Sequence, residues 1–383
     1  IEAYEPIDQI MRVSFLAGIF ILGLALAAPA QQTSKNAKWL AEALKRFPAA
    51  DANKDGVLTM AEARAFQQKR KQQGKKGPRM DVHSPTEEQI KAVIAAGRKN
   101  NGDGPLQFEK GDGVRVLMTG HSWVAPGRKT LPVIAEAAGI KSHHQRWHTS
   151  GGGTGAANAI WLKEFGKWNK EEPPKPVLLP AIATGEWDVM TWGSYYGDKP
   201  EFYAQWIDLC LAHNPKMEFC IQDGWPRFDP AWKAQPKEKV LEMIDAMSAE
   251  LQEAYLQRFA HFGGKYPGKV RVIPAGPAVV ELIHRFCDGK VPDFDCIDEK
   301  SQGGKKGVYR DGGHLSRDGG TEWLVGYLYY GMLYRKSPEL IEGFTPDGVP
   351  ERLDRTLREI AWKAITASPM SGIVDKDRDG VGD

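Results

Sequence analysis

Residues 114–123 read Val-Arg-Val-Leu-Met-Thr-Gly-His-Ser-Trp. Val114 to Thr119, mostly apolar and bounded by Gly113 and Gly120, has the composition of a buried strand. Gly120 permits a tight turn, which places the Ser122 hydroxyl at the strand's carboxyl end. Downstream, each short β-rich run is followed by a helical one. Leu131 to Ala138 reads as helix, Gln145 to Thr149 as a second strand and Asp188 to Trp192 as a third. Helix Glu201 to His213, strand Met217 to Gln222, a long helix around Lys237 to Phe262 and strand Val270 to Pro274 follow. Two closing helices are expected at Asp318 to Arg335 and Glu351 to Thr366, the latter with Leu353, Leu357, Ile360, Ala364 and Ile365 on one stripe. This alternation predicts an α/β domain, a parallel sheet with helices on both faces and reactive groups at the carboxyl ends of its strands.

The second chemical signal is Asp311-Gly312-Gly313-His314-Leu315-Ser316, just before a helix. A serine becomes a nucleophile when a neutral imidazole takes its proton, and a carboxylate fixes that imidazole's tautomer. Asp311 stands three residues before His314, within one turn of chain. From about Val114 to Lys336 the chain resembles the SGNH/GDSL hydrolase superfamily, with a serine after the first strand and D-x-x-H before the final helix. The resemblance implies a three-layer flavodoxin-like sandwich with a five-stranded parallel sheet, Ser122 as nucleophile, His314 as base and Asp311 as orienting acid. Gly120-His121-Ser122 stands where the family has Gly-Asp-Ser. The family's second block maps to Gly151-Gly152-Gly153, with Gly152 as oxyanion donor. Its third block, G-x-N-D, falls on Gly193-Ser194-Tyr195-Tyr196, where the Asn is missing. Either Ser194, Tyr195 or Asn158 substitutes or the site is weak or altered in chemistry, since one oxyanion donor is worth about 10²–10³ in rate. The Ser122 backbone N–H would remain as one donor.

Ahead of this domain, residues 51–62 read Asp-Ala-Asn-Lys-Asp-Gly-Val-Leu-Thr-Met-Ala-Glu. Asp51, Asn53, Asp55, Thr59 and Glu62 are oxygen ligands at EF-hand spacing, Gly56 takes the sharp turn and Val57 offers its carbonyl. The residues expected to bind calcium are these, in a small helical module with flanks Ala37 to Phe47 and Met60 to Lys71. Leu58 is the apolar residue that would pair with a neighbouring loop. A second run, Asp375, Asp377, Asp379 and Gly380, repeats the opening of the motif and reads either as a weaker calcium loop or as a solvated tail.

Val13 to Ala28 is an apolar stretch with Arg12 before it and Ala28 and Ala30 at its end, the layout of a signal peptide. Met11 is the natural start. The expected organisation is therefore 1–30 signal peptide, 31–73 calcium module, 74–110 linker with a short helix at Thr86 to Ala96, 111–370 hydrolase-like domain and 371–383 acidic tail. Lys69 to Arg79 carries six basic residues and no acid. Export, to a periplasm or the exterior, would favour disulfides. Cys210–Cys220 and Cys287–Cys296 are the short-range pairs, against four free thiols. With 51 Lys+Arg against 49 Asp+Glu and a net charge of +2, composition excludes a polyanion-driven nucleic-acid binder, and no span is expected after signal cleavage.

His143, His144 and His148 form a cluster, but in a strand their spacing does not converge on a metal. Trp123, Trp147, Trp192 and Trp225 lie at strand ends, where they either wall a sugar cleft or pack in the core. The leading expectation is an exported serine esterase acting on acylated carbohydrate or another small ester, with structural calcium and no catalytic cofactor. The rival is a non-catalytic, calcium-dependent binding or adhesion protein on a hydrolase-like scaffold.

Overall fold

The computed structural model describes residues 33–35, 38–59, 62–63, 65–66, 85–101, 111–149, 157–165, 176–195 and 198–383. The apolar leader and the basic linker lie outside them. The chain divides into two units, 1–81 and 82–383.

In the first unit, helix α1 (Lys38–Arg46) ends before Pro48, which opens a short 3₁₀ turn, Pro48–Ala50. Leu40, Ala50, Leu58 and Ala63 are buried together, with the Phe47 and Phe66 rings 6.1 Å apart. Within this unit Leu58 pairs with the segment around Ser34: its carbonyl accepts from Ser34 N–H (2.8 Å) and its N–H donates to Ser34 Oγ (2.9 Å).

The second unit opens with helix α2 (Glu87–Asn101) and then alternates strand and helix. Strands β1 (Arg115–Gly120), β2 (His144–Thr149), β3 (Val189–Gly193), β4 (Glu218–Gln222) and β5 (Val270–Ile273) form one sheet in the order β2-β1-β3-β4-β5, all parallel. Side chains alternate faces along a strand, and a parallel sheet is covered on both. Val116, Met118, Val189 and Cys220 accordingly enter one core layer, while Leu117, Met190, Trp192, Phe219 and Ile221 enter the other. The fold is a three-layer flavodoxin-like sandwich.

Against the first layer pack α3 (Ala125–Ala137), and from the later chain α8 (Ala275–Cys287), α10 (Glu322–Tyr334) and α11 (Glu351–Ala367). The second layer is covered by α4 (Ala157–Glu164), α5 (Leu178–Ile182) and α6 (Pro200–His213). The long α7 (Lys237–Lys265) contributes Val240 and Ile244 to one layer and Phe262 to the other. Every residue of α10 from Leu324 to Leu333 is buried, so it is a core helix and not an amphipathic surface one.

Helix α3 starts six residues before the expected Leu131. Pro126 lies in its first turn, where no N–H is needed, and Pro132 lies inside it. Pro132 leaves the Arg128 carbonyl without its helical donor, and Gln145 Nε2 of β2 supplies one at 2.8 Å. At the other end of the domain, α10 begins at Glu322 instead of Asp318, because residues 316–321 form a turn in which Thr321 Oγ1 accepts from Ser316 N–H at 2.8 Å.

Of the two alternatives, short-range disulfides or four free thiols, the structure has the second: all four cysteines are free. Cys210 and Cys220 belong to opposite layers of the sheet, and Cys210 Sγ faces Met190 Sδ at 3.7 Å. Cys296 Sγ turns to the Lys306 carbonyl. The acidic tail is tied into the domain: Ser337 N–H donates to Gly380 O (2.6 Å), Gly382 N–H to Arg335 O (2.8 Å), and Trp362 Nε1 to Asp375 Oδ2 (2.8 Å).

Candidate active site

β2 lies on one side of β1 and β3 on the other, so the chain reverses its direction of build at the carboxyl end of β1, where open α/β sheets have their crevice. Gly120 closes β1 at φ +147°, and a Cβ there would stand 2.8 Å from Val124 Cγ2 and 2.9 Å from Gly193 N. Only glycine accommodates that backbone and that approach. The chain then turns, Val124 N–H donating to His121 O (3.0 Å), and leaves Ser122 exposed ahead of α3.

The partner arrives from the far end of the chain. Strands β6 (Cys296–Asp298) and β7 (Gly307–Tyr309), joined by the short helix α9 (Glu299–Gln302), pair in parallel, and a tight turn follows in which Arg310 N–H donates to His314 O (2.8 Å). This turn is clamped from outside. Trp225 Nε1 donates to Gly313 O (2.9 Å), Phe228 N–H to Gly312 O (2.8 Å), and the Gly312 N–H reaches the Asp298 carboxylate. The result is a relay: His314 Nε2 lies 2.7 Å from Ser122 Oγ, and His314 Nδ1 lies 2.8 Å and 3.0 Å from the two Asp311 oxygens. Burial pushes the Asp311 carboxyl up, but the His314 backbone N–H, its imidazole and the Arg310 guanidinium outweigh that and hold it at about 2. Asp311 is therefore a carboxylate, Nδ1 carries the proton, and Nε2 is free to accept from Ser122.

The oxyanion candidates fare differently. Gly152 lies outside the described residues, and Asn158 stands at the second position of α4 with its side chain also outside them. The Ser194 hydroxyl is bonded to the Tyr255 phenol, its N–H donates to Gln222 O (3.1 Å), and the Tyr195 N–H donates to Asp198 Oδ2 (3.2 Å). A Cβ at Gly193 would collide with Val124 Cγ2 at 2.2 Å, which explains the glycine that opens this block.

His121 has a role that its place in Gly-His-Ser did not reveal. Its Nε2 lies 2.8 Å from the Ser194 carbonyl, which can only accept, so Nε2 carries the proton and Nδ1 receives the Trp123 N–H at 3.4 Å. Burial and the nearby His314 lower its pKa, so it stays neutral. His121 thus ties the nucleophile turn to the loop after β3.

The cleft over Ser122 has a volume of about 180 Å³ and is walled by Trp123, Trp225, Pro126, Leu315 and His314, with Lys129, Arg310, Arg317 and Glu322 at its margin. Trp123 and Trp225 stack at 4.5 Å. The other two tryptophans are elsewhere: Trp192 is fully buried against Phe219 and Tyr203, and Trp147 packs on the first core layer under Arg128. The histidine cluster does not converge. His143 bonds Tyr334 and Gln145, while His148 is buried beside Thr119 and Glu164, and burial drives its pKa down to about 3.

In the calcium-type loop, Gly56 N–H donates to Asp51 Oδ2 (2.8 Å), Asp55 N–H to Asn53 Oδ1 (3.0 Å) and Val57 N–H to Asp55 Oδ1 (2.8 Å). Asp51 Oδ1 is buried with no hydrogen-bond partner among the described residues, an orphan oxygen of the kind a cation satisfies. Glu62 Oε2 is held by Thr59 N–H and Oγ1 (3.0 and 2.7 Å). The tail loop repeats the pattern, with Gly380 N–H on Asp375 Oδ2 (3.2 Å) and Val381 N–H on Asp379 Oδ1 (2.7 Å), but Asp377 and Asp379 are exposed.

No family model matches this chain, and no curated protein matches it. A solved structure of a DUF4886 family protein from Bacteroides uniformis is similar to it at a TM-score of 0.43 and 14% identity, over 66% of this chain and 95% of that one.

Just after β4, Asp223 is fully buried, accepting from Gly276 N–H (2.7 Å) and Gln252 Nε2 (3.1 Å). Burial raises its pKa to about 7, and that of Asp198 to about 6. A folded-state pKa above the unfolded value gives stability that is present below about pH 4 and lost as pH rises through 7. Asp223→Asn keeps the shape and needs only Gln252 to turn its amide. It is expected to raise the Tm at pH 8, by at most about 4 kcal/mol of stability, with the gain vanishing near pH 4. Thermal melts across that range check it, and a gain independent of pH would refute the assignment.

Proposed function

We propose that the 82–383 unit is an SGNH-type serine ester hydrolase acting on acyl, acetyl-type esters of carbohydrate. The observation that carries this reading is the continuous hydrogen-bonded chain from Ser122 through His314 to Asp311 in a cleft at the sheet's carboxyl edge. His314 Nε2 takes the Ser122 proton as Oγ attacks the acyl carbonyl, and Asp311 stabilises the imidazolium that forms. The imidazolium then protonates the departing sugar oxygen as its bond to the acyl carbon breaks, leaving an acyl group on Ser122. Water, deprotonated by the same nitrogen, releases the acid and restores the serine. The Ser122 N–H and Gly152 are the proposed oxyanion donors. Trp123 offers an indole on which a sugar ring can stack. Hydrolysis of acetylated xylo-oligosaccharide and of p-nitrophenyl acetate by the purified chain is the test. A protein inert on a broad ester panel that binds glycans only with calcium would replace this reading with an adhesion role.

We further propose export to the periplasm or exterior, and calcium at Asp51, Asn53, Asp55, Val57, Thr59 and Glu62. These residues supply only oxygen, as a hard cation requires, and the metal would hold the loop without entering the reaction. Calorimetric titration is expected to show calcium uptake that Asp51→Ala with Glu62→Ala abolishes. Unaltered heats in the double variant would overturn the site.

A further inference from the structure

Three cations stand at the margin of the Ser122 cleft: Lys129 from α3, and Arg310 and Arg317 from either side of the His314 turn. One carboxylate outside the relay, Glu322, shares that margin. Their states differ. Arg310 Nη2 is 3.2 Å from Asp311 and is used to hold that carboxylate. Arg317 Nε approaches Glu322 only to 3.7 Å, with its side chain 67% exposed. Lys129 is exposed, and no carboxylate pairs with it among the described residues. The chain as a whole is nearly neutral at +2, so three cations around one small opening are a local concentration and not an overflow of a basic surface. Apolar side chains line the same opening: Trp123, Pro126, Leu315 and Trp225. Low-dielectric walls focus the field of such charges into the opening, and an excess of one sign raises the local concentration of oppositely charged substrate; three cations against Glu322 and Asp311 leave that excess positive.

We infer that the cleft selects an anionic carbohydrate, one whose carboxylate or sulfate group reaches Lys129 and Arg317 while a sugar ring lies on Trp123. The group binds as a charge-assisted hydrogen-bond acceptor, with Arg317 released from its long contact to Glu322. This selectivity deepens the ester-hydrolase reading where turnover is concerned, while the binding step stands apart from it.

The experiment has a catalytic arm and a binding arm. In the first, acetylated oligogalacturonate and acetylated xylo-oligosaccharide are hydrolysed by the wild type and by Lys129→Glu with Arg317→Glu. Arg310 is left in place because it holds Asp311. The ratio of kcat/KM for the acidic over the neutral substrate is expected to fall about tenfold or more in the double variant. In the wild type the same ratio is expected to decline as salt rises towards 0.5 M, where the screening length is only about 4 Å. In the second arm, tetragalacturonate and a sulfated tetrasaccharide are titrated into Ser122→Ala with and without the two reversals. Weaker binding of either acid on reversal supports the inference, and the stronger of the two identifies the acid group. If no ester is turned over but acid binding still depends on Lys129 and Arg317, the charge selectivity stands and the hydrolase reading falls. A substrate ratio and a binding constant both indifferent to reversal would overturn the inference. Lys129→Gln, which removes charge without reversing it, is expected to lie between the two.

Discussion

Ser122→Ala is expected to lower kcat/KM on acetate esters by about 10⁴–10⁶ and to abolish labelling by a fluorophosphonate. The alanine removes the atom that accepts the acyl group and leaves His314 Nε2 with no hydroxyl at 2.7 Å. Its structural cost is small, because Ser122 is exposed and its hydroxyl's contact is the one to His314. Unchanged melting beside a collapsed rate separates loss of the nucleophile from loss of the fold. The neighbouring Ser316 is no substitute: it is fully buried and its hydroxyl is bonded to Glu299. Hydrolysis and labelling that survive Ser122→Ala would remove Ser122 from the chemistry.

The elements that periodicity could find are those whose burial is decided locally. β1, β3, β4 and β5 are short apolar runs between polar or glycine boundaries, and α11 has its stripe Leu353, Leu357, Ile360 and Ile365 on the buried side. Helix α3 was harder to read because Pro132 is tolerated only through Gln145 of another strand, a long-range compensation. Cys210 and Cys220 are near in sequence, yet the sheet stands between them. Trp192 sits at a strand end like Trp123, but its position along β3 turns it into the core.

The site divides in the same way. Asp311 and His314 are three residues apart in one turn, so their partnership is visible in the chain; Ser122, 192 residues from His314, was placed by its position after the first strand. The work of His121 is invisible at that level, since it depends on a carbonyl 73 residues away. Ser194 shows the converse: its type suited an oxyanion donor, but Tyr255, from α7, engages its hydroxyl. Residue type identifies a candidate, and the neighbours brought by distant elements decide what its hydrogen bonds are spent on.

Asp311→Asn is expected to cost about 10⁴ in kcat while the protein remains folded. Oδ1 of the carboxylate accepts from both His314 Nδ1 (2.8 Å) and the His314 backbone N–H (3.0 Å), while Oδ2 lies 3.0 Å from Nδ1 and accepts from Arg310 Nη2 (3.2 Å). An asparagine has one acceptor oxygen and one donor amide. Whichever place the oxygen takes, the amide stands in the other, 2.8 or 3.0 Å from Nδ1 and against a second donor, the backbone N–H or Arg310 Nη2; donating to Nδ1 relieves its conflict with the ring. The imidazole proton then moves to Nε2 and points at Ser122 Oγ, and the base that the serine needs is gone. The imidazolium formed during attack also loses the negative charge that stabilises it. Because the Asp311 carboxyl is held at about 2, the wild type keeps this charge across the neutral range. Its contribution to stability, present above about pH 4, is lost only as pH falls towards 2, so melts of wild type and variant should differ least in strong acid. The measurement is acetyl-ester turnover beside fluorophosphonate labelling rate, both of which need the Ser122 proton removed and should fall together. A variant within about tenfold of the wild type on both would show that Asp311 does not orient the base.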